Sequence, residues 1–272
     1  FLDRTPFYAE GGGQVGDTGT ISTVDGEATV LDTTYALPGL RRHVARLTRG
    51  SIAAGSAATA AIDVVRRTAI RRNHTGTHLL HHALRVVLGE HVKQAGSLVS
   101  DDRLRFDFSH YAAVTPDELR RIEEIANAET LANAPARVFE TTKDEATAMG
   151  AIAFFGDKYG DVVRVLEVGS SIELCGGTHV RAAGDIGTIR IISESSIGSN
   201  LRRIEATTGE NTVRLMQREA AQVAEVARLV GASSDDVVAG VQRRVDEVKA
   251  LQDELKALRS RLATGRAAEL AG

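Results

Sequence analysis

The chain has 272 residues with 33 Lys and Arg against 36 Asp and Glu, a formal charge of −3 that does not mark a generic polyanion binder. A hydrophobic content of 43% is enough for a packed core and excludes intrinsic disorder, while 4% aromatic residues and no Trp leave few side chains for any base-stacking platform. The single Cys excludes an intrachain disulfide and points to a reducing compartment, and no apolar run reaches the roughly 18 residues of a membrane span.

The length predicts about two domains. The opening Phe1-Leu2-Asp3-Arg4 has neither Met nor the look of a signal peptide, so the chain reads as a piece of a longer protein. Residues 1–60 read as β-rich. The runs Thr20–Val24 and Glu27–Leu31 flank Asp25-Gly26, a hairpin turn whose residues tolerate positive φ, and Pro38-Gly39 marks a second turn. Ahead of them lies Gly11-Gly12-Gly13-Gln14-Val15-Gly16-Asp17. It fits neither a Lys-Ser/Thr phosphate loop nor a dinucleotide fingerprint. Three adjacent glycines permit either a tight turn or a loop whose backbone approaches a ligand.

From Asp63 the pattern turns helical. Leu79, Leu80, Ala83, Leu84, Val87 and Leu88 recur at helical spacing, and Gly89 closes the run. Leu104, Phe106 and Phe108 alternate as in a strand. Thr115-Pro116-Asp117-Glu118 combines a capping box with Pro at the first helical position, and its helix should reach about Asn133. Strands are expected at Ala136–Thr141, Val162–Val168 and Thr188–Ile192, with a short helix at Lys143–Met149. Residues 61–208 thus predict an α+β domain, an antiparallel sheet covered by helices. In residues 209–272, Val241, Val245, Val248, Leu251, Leu255, Leu258 and Leu262 step by 4, 3, 3, 4, 3 and 4. That is the coiled-coil period, and it predicts a helical hairpin that self-associates, packs within the chain or meets a further domain.

The chemistry sits in two short segments. His74-Thr75-Gly76-Thr77-His78 places two imidazoles on one helix face, one turn apart. A hundred residues on, Cys175-Gly176-Gly177-Thr178-His179 repeats the spacing with the only thiol, and its glycines allow a loop to curl inward. Three imidazoles and one thiolate form a donor set suited to Zn²⁺. Position 75 lacks the Glu of a zincin protease, and no Gly-x-Ser-x-Gly is present. His81 reads as a core or surface residue, or as a group behind the ligands. His43, His91 and His110 have no partner by spacing. Paired arginines at Arg66-Arg67 and Arg71-Arg72 make a basic patch just before the histidines, suited to phosphate. From the residues alone, a structural zinc in an RNA-binding domain remains a fair reading.

These segments, together with Thr5–Gly19, Arg71–Leu80, Val92–Val99, Arg103–His110, Glu173–Val180 and Arg202–Ala206, resemble the editing region of the alanyl-tRNA synthetase family over residues 1–208. Residues 209–272 resemble that family's linker to its C-terminal domain. Relatives often carry Ala where this chain has Gly76. No class II motif for ATP is present, so ATP would belong only to a missing aminoacylation domain. The resemblance implies a barrel-like N-terminal subdomain. It implies a cytoplasmic deacylase that hydrolyses tRNA(Ala) mischarged with serine or glycine, with zinc on His74, His78, Cys175 and His179. It implies Thr77 and Gln94 as pocket residues, with Gly11, Gly12, Gly13 and Gln14 framing the pocket. Arg71, Arg72, Lys93, Arg202 and Arg203 are prospective tRNA contacts. A free-standing trans-acting deacylase and a non-catalytic zinc-stabilised module are the competing readings.

Overall fold

The computed structural model describes residues 1–153 and 160–271, divided between two compact units, Phe1–Val213 and Arg214–Gly272. The first unit opens with β1 (Gly19–Ser22), β2 (Gly26–Leu37), β3 (Leu40–Gly50) and β4 (Thr59–Ile62), an antiparallel sheet in the order β3-β2-β1-β4. The predicted hairpin is there: across the Asp25-Gly26 turn the Thr23 N–H donates to the Gly26 carbonyl over 2.8 Å. The predicted barrel is not. Among the described residues β3 pairs only with β2 and β4 only with β1, so the sheet stays open. Closure needs two long edge strands that meet around a buried inner face. Here β4 has four residues, and β3 is exposed at every position but His43.

The core of this unit follows in chain order as α1 (Val64–Leu88), β5 (Gln94–Val99), β6 (Leu104–Ser109), α2 (Pro116–Ala132), β7 (Arg137–Thr142), α3 (Lys143–Ala148), β8 (Val162–Val168), β9 (Ser171–Leu174), a 3₁₀ turn at Ala183–Ile186, β10 (Ile189–Gly198) and β11 (Leu201–Thr208). The expected α+β arrangement holds. An antiparallel sheet in the order β10-β11-β6-β5 carries α1 and α2, and β7-β8-β9 form a third sheet. Asp63 caps α1 by accepting the Arg66 N–H, and Gly89 ends it at φ 114°. The helical spacing then drives Leu79, Leu80, Ala83 and Leu84 into a core shared with Leu104, Phe106 and Phe108 of β6. Thr115 and Glu118 make the predicted reciprocal capping box on α2, and Asn133 ends that helix in the left-handed region at φ 53°.

Helix α4 (Gly209–Val230) leaves the first unit and enters the second, where α5 (Val237–Ala271) follows. Val230 and Gly240 bring the two helices together at their joined ends. The seven seam residues from Val241 to Leu262 are 39–69% exposed. Two helices are present as expected, but the seam finds no second strand among the described residues.

Candidate metal centre

Helix α1 delivers His74 and His78 on one face, and the segment leaving β9 delivers Cys175 and His179. The ligand atoms of the four residues lie within 4.8 Å of one another. Cys175 Sγ is 3.3 Å from His74 Nε2 and 3.3 Å from His179 Nε2. A tetrahedral zinc with ligands at roughly 2.0–2.3 Å separates its donors by about 3.5 Å, so this cluster has the size as well as the chemistry of a metal site.

The outward side of each imidazole is also fixed. His74 Nδ1 donates to Gln14 Oε1 over 2.7 Å. His78 Nδ1 donates to Glu173 Oε2 over 2.5 Å. The Thr75 hydroxyl gives its proton to the Arg71 carbonyl over 2.9 Å, so its oxygen accepts from His179 Nδ1 at 3.2 Å. His74 and His179 are thereby set in the tautomer that turns the Nε2 lone pair inward, the usual arrangement around a metal, and His78 turns its Nε2 towards the same point. Glu173 also accepts from His81 Nδ1 at 2.9 Å and from the Ser171 hydroxyl at 3.2 Å. His81 therefore stands behind the ligands, one of the roles its spacing allowed.

The electrostatics agree. Burial opposes ionisation of Cys175, but His74, His78 and His179 hold its thiol well below the usual range. Burial would lower His78, yet the charges of Glu173 and Cys175 push it up to about 10. Glu173 is held down to about 2 against its own burial, first by His78. Burial, with His74 close by, keeps His179 neutral down to about 3. The site thus stores a thiolate and a buried carboxylate before any cation arrives.

A cavity of about 620 Å³ opens on His74, His78 and Cys175, and its wall includes Gly11, Gly12, Gly13, Thr77, Gln94 and Ser97. Gly12 and Gly13 have φ of 57° and 82°, and a Cβ on Gly13 would collide with Ser97. The Gly13 carbonyl accepts the Val99 N–H over 2.7 Å, which lays the loop along β5. Gly177 passes so close to the His74 ring that any side chain would strike it, whereas Gly176 faces open space. Of the two glycines in the Cys-to-His loop, only Gly177 is a steric requirement. Arg164 clamps this loop by donating to the carbonyls of Cys175 at 2.7 Å and Gly177 at 2.8 Å.

Not every predicted residue meets in this cavity. Gln14 is fully buried, and its amide oxygen is engaged by His74 and by the Thr178 N–H at 2.9 Å, so it stands behind the cluster rather than on the wall. Arg71 and Arg72 line a separate cavity of about 650 Å³ that reaches His179. Lys93 is exposed at the head of β5, next to Gln94. Arg202 forms a two-pronged pair with Glu194 at 2.5 and 2.7 Å, and Arg203 does the same with Asp107 at 2.7 and 2.9 Å. Both guanidiniums are thus paired with carboxylates of their own sheet, and the Arg203 side chain stays 32% exposed. Sequence reasoning missed Glu173 and Thr75. The signal for Glu173 was strand alternation, since residues 171, 173 and 175 share a face.

Residues 163–205 match the model of the threonyl and alanyl tRNA synthetase second additional domain, and residues 1–66 match that of class II (A) tRNA synthetases. Together with the His/Cys cluster, these define a tRNA synthetase-related chain. The alanine--tRNA ligase of Paraburkholderia phytofirmans is 48% identical over 271 residues, covering 100% of this chain and 31% of the relative. That of Burkholderia thailandensis is 47% identical over 270 residues, covering 99% of this chain and 31% of the relative. The chain belongs to the alanyl-tRNA synthetase family and spans about a third of the length of the curated relatives it matches.

Proposed function

We propose that the cavity on the His/Cys cluster is an esterase site that removes serine or glycine from mischarged tRNA(Ala), within a chain of cytoplasmic type. The observation that carries this reading is the meeting of three groups in one hollow: the ligand cluster, the Thr77 and Gln94 side chains, and a glycine loop that leaves backbone at the wall. The donor set fits zinc, which when bound by His74, His78, Cys175 and His179 supplies a fixed positive charge and Lewis acidity at the cavity floor.

The chain's own groups then divide the work. The Thr77 hydroxyl donates to the Asn73 carbonyl over 2.8 Å, so its oxygen faces a ligand as an acceptor. A serine hydroxyl satisfies that acceptor and an alanine methyl does not, which disfavours the correct product by up to about 10⁴-fold; glycine, which has no hydroxyl, gains nothing from Thr77. Gln94 donates its amide N–H to Ser97 Oγ at 3.3 Å, which leaves its carbonyl to hold a water or the substrate amine. Arg71, Arg72 and Lys93 are the cations assigned to the tRNA backbone.

Deacylation of Ser-tRNA(Ala) compared with Ala-tRNA(Ala) tests this reading. The expected result is selective loss of serine, with Cys175→Ala abolishing metal binding and hydrolysis together. Hydrolysis by a metal-free Cys175→Ala protein would remove the metal from the reaction. Tight tRNA binding with no release of serine would leave a zinc-stabilised binding module.

A further inference from the structure

One group of rings lies outside the metal centre and its cavity. His91 Nε2 and His110 Nδ1 are hydrogen-bonded at 2.8 Å, and their planes differ by 23°. The Tyr111 ring lies across this pair, its centroid 4.7 Å from that of His110 and 5.4 Å from that of His91, tilted by 32° and 28°. One face of the phenol is therefore backed by two imidazoles, while the residue as a whole is 75% exposed. The support is anchored through His110, while His91 is exposed. His110 is 7% exposed and stands 6.5 Å from the core ring of Phe108, which in turn stacks on Phe106.

An exposed aromatic of this kind is unusual in a chain with 4% aromatic residues and no Trp. Within residues 87–130 it is the one large hydrophobic residue that is exposed. What is offered is a single open π-face on a fixed mount. Such a face suits an unstacked nucleobase, whose stacking needs no particular sequence. The position is apt. The Lys93 N–H is bonded to the Ser109 hydroxyl at 3.0 Å, which places an exposed cation at the root of the platform. Gln94, the next residue, lines the cavity. Gln94 follows His91 by three positions, a reach of at most about 11 Å.

We propose that Tyr111, mounted on the His91–His110 pair, is a stacking platform for a base of the single-stranded 3′ end of the tRNA, steering that end towards the cavity. The proposal rests on the deacylase reading for the identity of the RNA, but not for the stacking itself. Because a neutral ring carries the contact, its loss should lower affinity without changing the number of phosphates engaged.

The test is the affinity of the full chain for uncharged tRNA(Ala), intact or trimmed of its unpaired 3′ nucleotides, measured by fluorescence anisotropy across a salt series. Tyr111→Ala should bind the intact tRNA about tenfold more weakly with an unchanged salt slope. Tyr111→Phe should bind like the parent, and all three proteins should bind the trimmed tRNA alike. Equal binding of the intact tRNA by Tyr111→Ala and the parent overturns the platform. So does an equal loss on both RNAs, which would make Tyr111 a contact elsewhere on the tRNA. Release of serine from Ser-tRNA(Ala) by the parent protein is followed separately, so a failure of the deacylase reading is not confused with a failure of the platform.

Discussion

Each imidazole at the metal centre is held from behind by a different acceptor: a carboxamide, a carboxylate and a hydroxyl. The carboxylate has the most to do, because Glu173 serves two rings at once and balances the charge of the site. Glu173→Gln keeps the volume but loses the second ring's acceptor and the negative charge. It should weaken zinc binding by about 10- to 100-fold, read by competition with a chromophoric chelator; an unchanged affinity would reduce Glu173 to core filling. Gly177→Ala should do more, since the added methyl displaces the His74 ring, with about 1–3 kcal/mol lost from stability as well. The four ligands were legible because matching i, i+4 spacings leave a local mark. Their supports were not, because Gln14, Thr75 and Glu173 meet their histidines across 60 to 104 residues of sequence. Such pairings exist only once the fold has closed.

Between elements, the key junction is the clasp that ties the first sheet to α1. Arg67 donates through Nε to Asp17 Oδ1 at 2.7 Å and through Nη2 to Oδ2 and to the Pro6 carbonyl, and Asp17 also accepts the Tyr8 N–H at 2.6 Å. Both side chains are at least nine-tenths buried. Burial and the nearby charge of Arg71 bring Arg67 down to about 10, so it remains a cation at neutral pH. This clasp fixes where the glycine loop runs relative to the helix that carries His74. Asp17→Ala strands a buried guanidinium and should cost about 3–5 kcal/mol in a urea titration, whereas replacing both partners by apolar residues should recover much of that. A loss below about 1 kcal/mol in the single variant would show that the sheet is held by other contacts. The same contrast explains which elements could be read in advance. Helices α1 and α2 carry their caps and periodicity within their own residues, and β8 carries four valines and a leucine in seven residues. Strand β3 reads Leu-Arg-Arg-His-Val-Ala-Arg-Leu, without alternation, and is a strand because β2 pairs with it. Strand β9 is four residues held by β8. The open first sheet likewise depends on how its edges end, which no local pattern encodes.

At the scale of the whole first unit, a bound cation would tie the long helix to the end of the third sheet, two parts that already share one core through Leu79, Leu80, Leu166 and Val168. Zinc at 1,000 times its dissociation constant would add about 4 kcal/mol to the stability of that unit, and stripping it with a chelator should lower the unfolding temperature accordingly. The size of this drop should depend on pH in a definite direction. In the metal-free protein His78 holds a proton up to about 10, well above the ordinary histidine value, between Glu173 and Cys175. That ion pair stabilises the stripped fold fully below the unfolded-state value of about 6.5, and the contribution fades as the pH rises through about 10. Zinc must displace the same proton to reach His78 Nε2, so its binding strengthens over the same interval. The gap between loaded and stripped unfolding temperatures should therefore widen steadily from pH 7 to pH 9, and calorimetry in buffers of different ionisation enthalpy should record close to one proton released per ion at pH 7. A gap that stays flat or narrows, with no proton released, would place the cation elsewhere than on the inward nitrogen of His78.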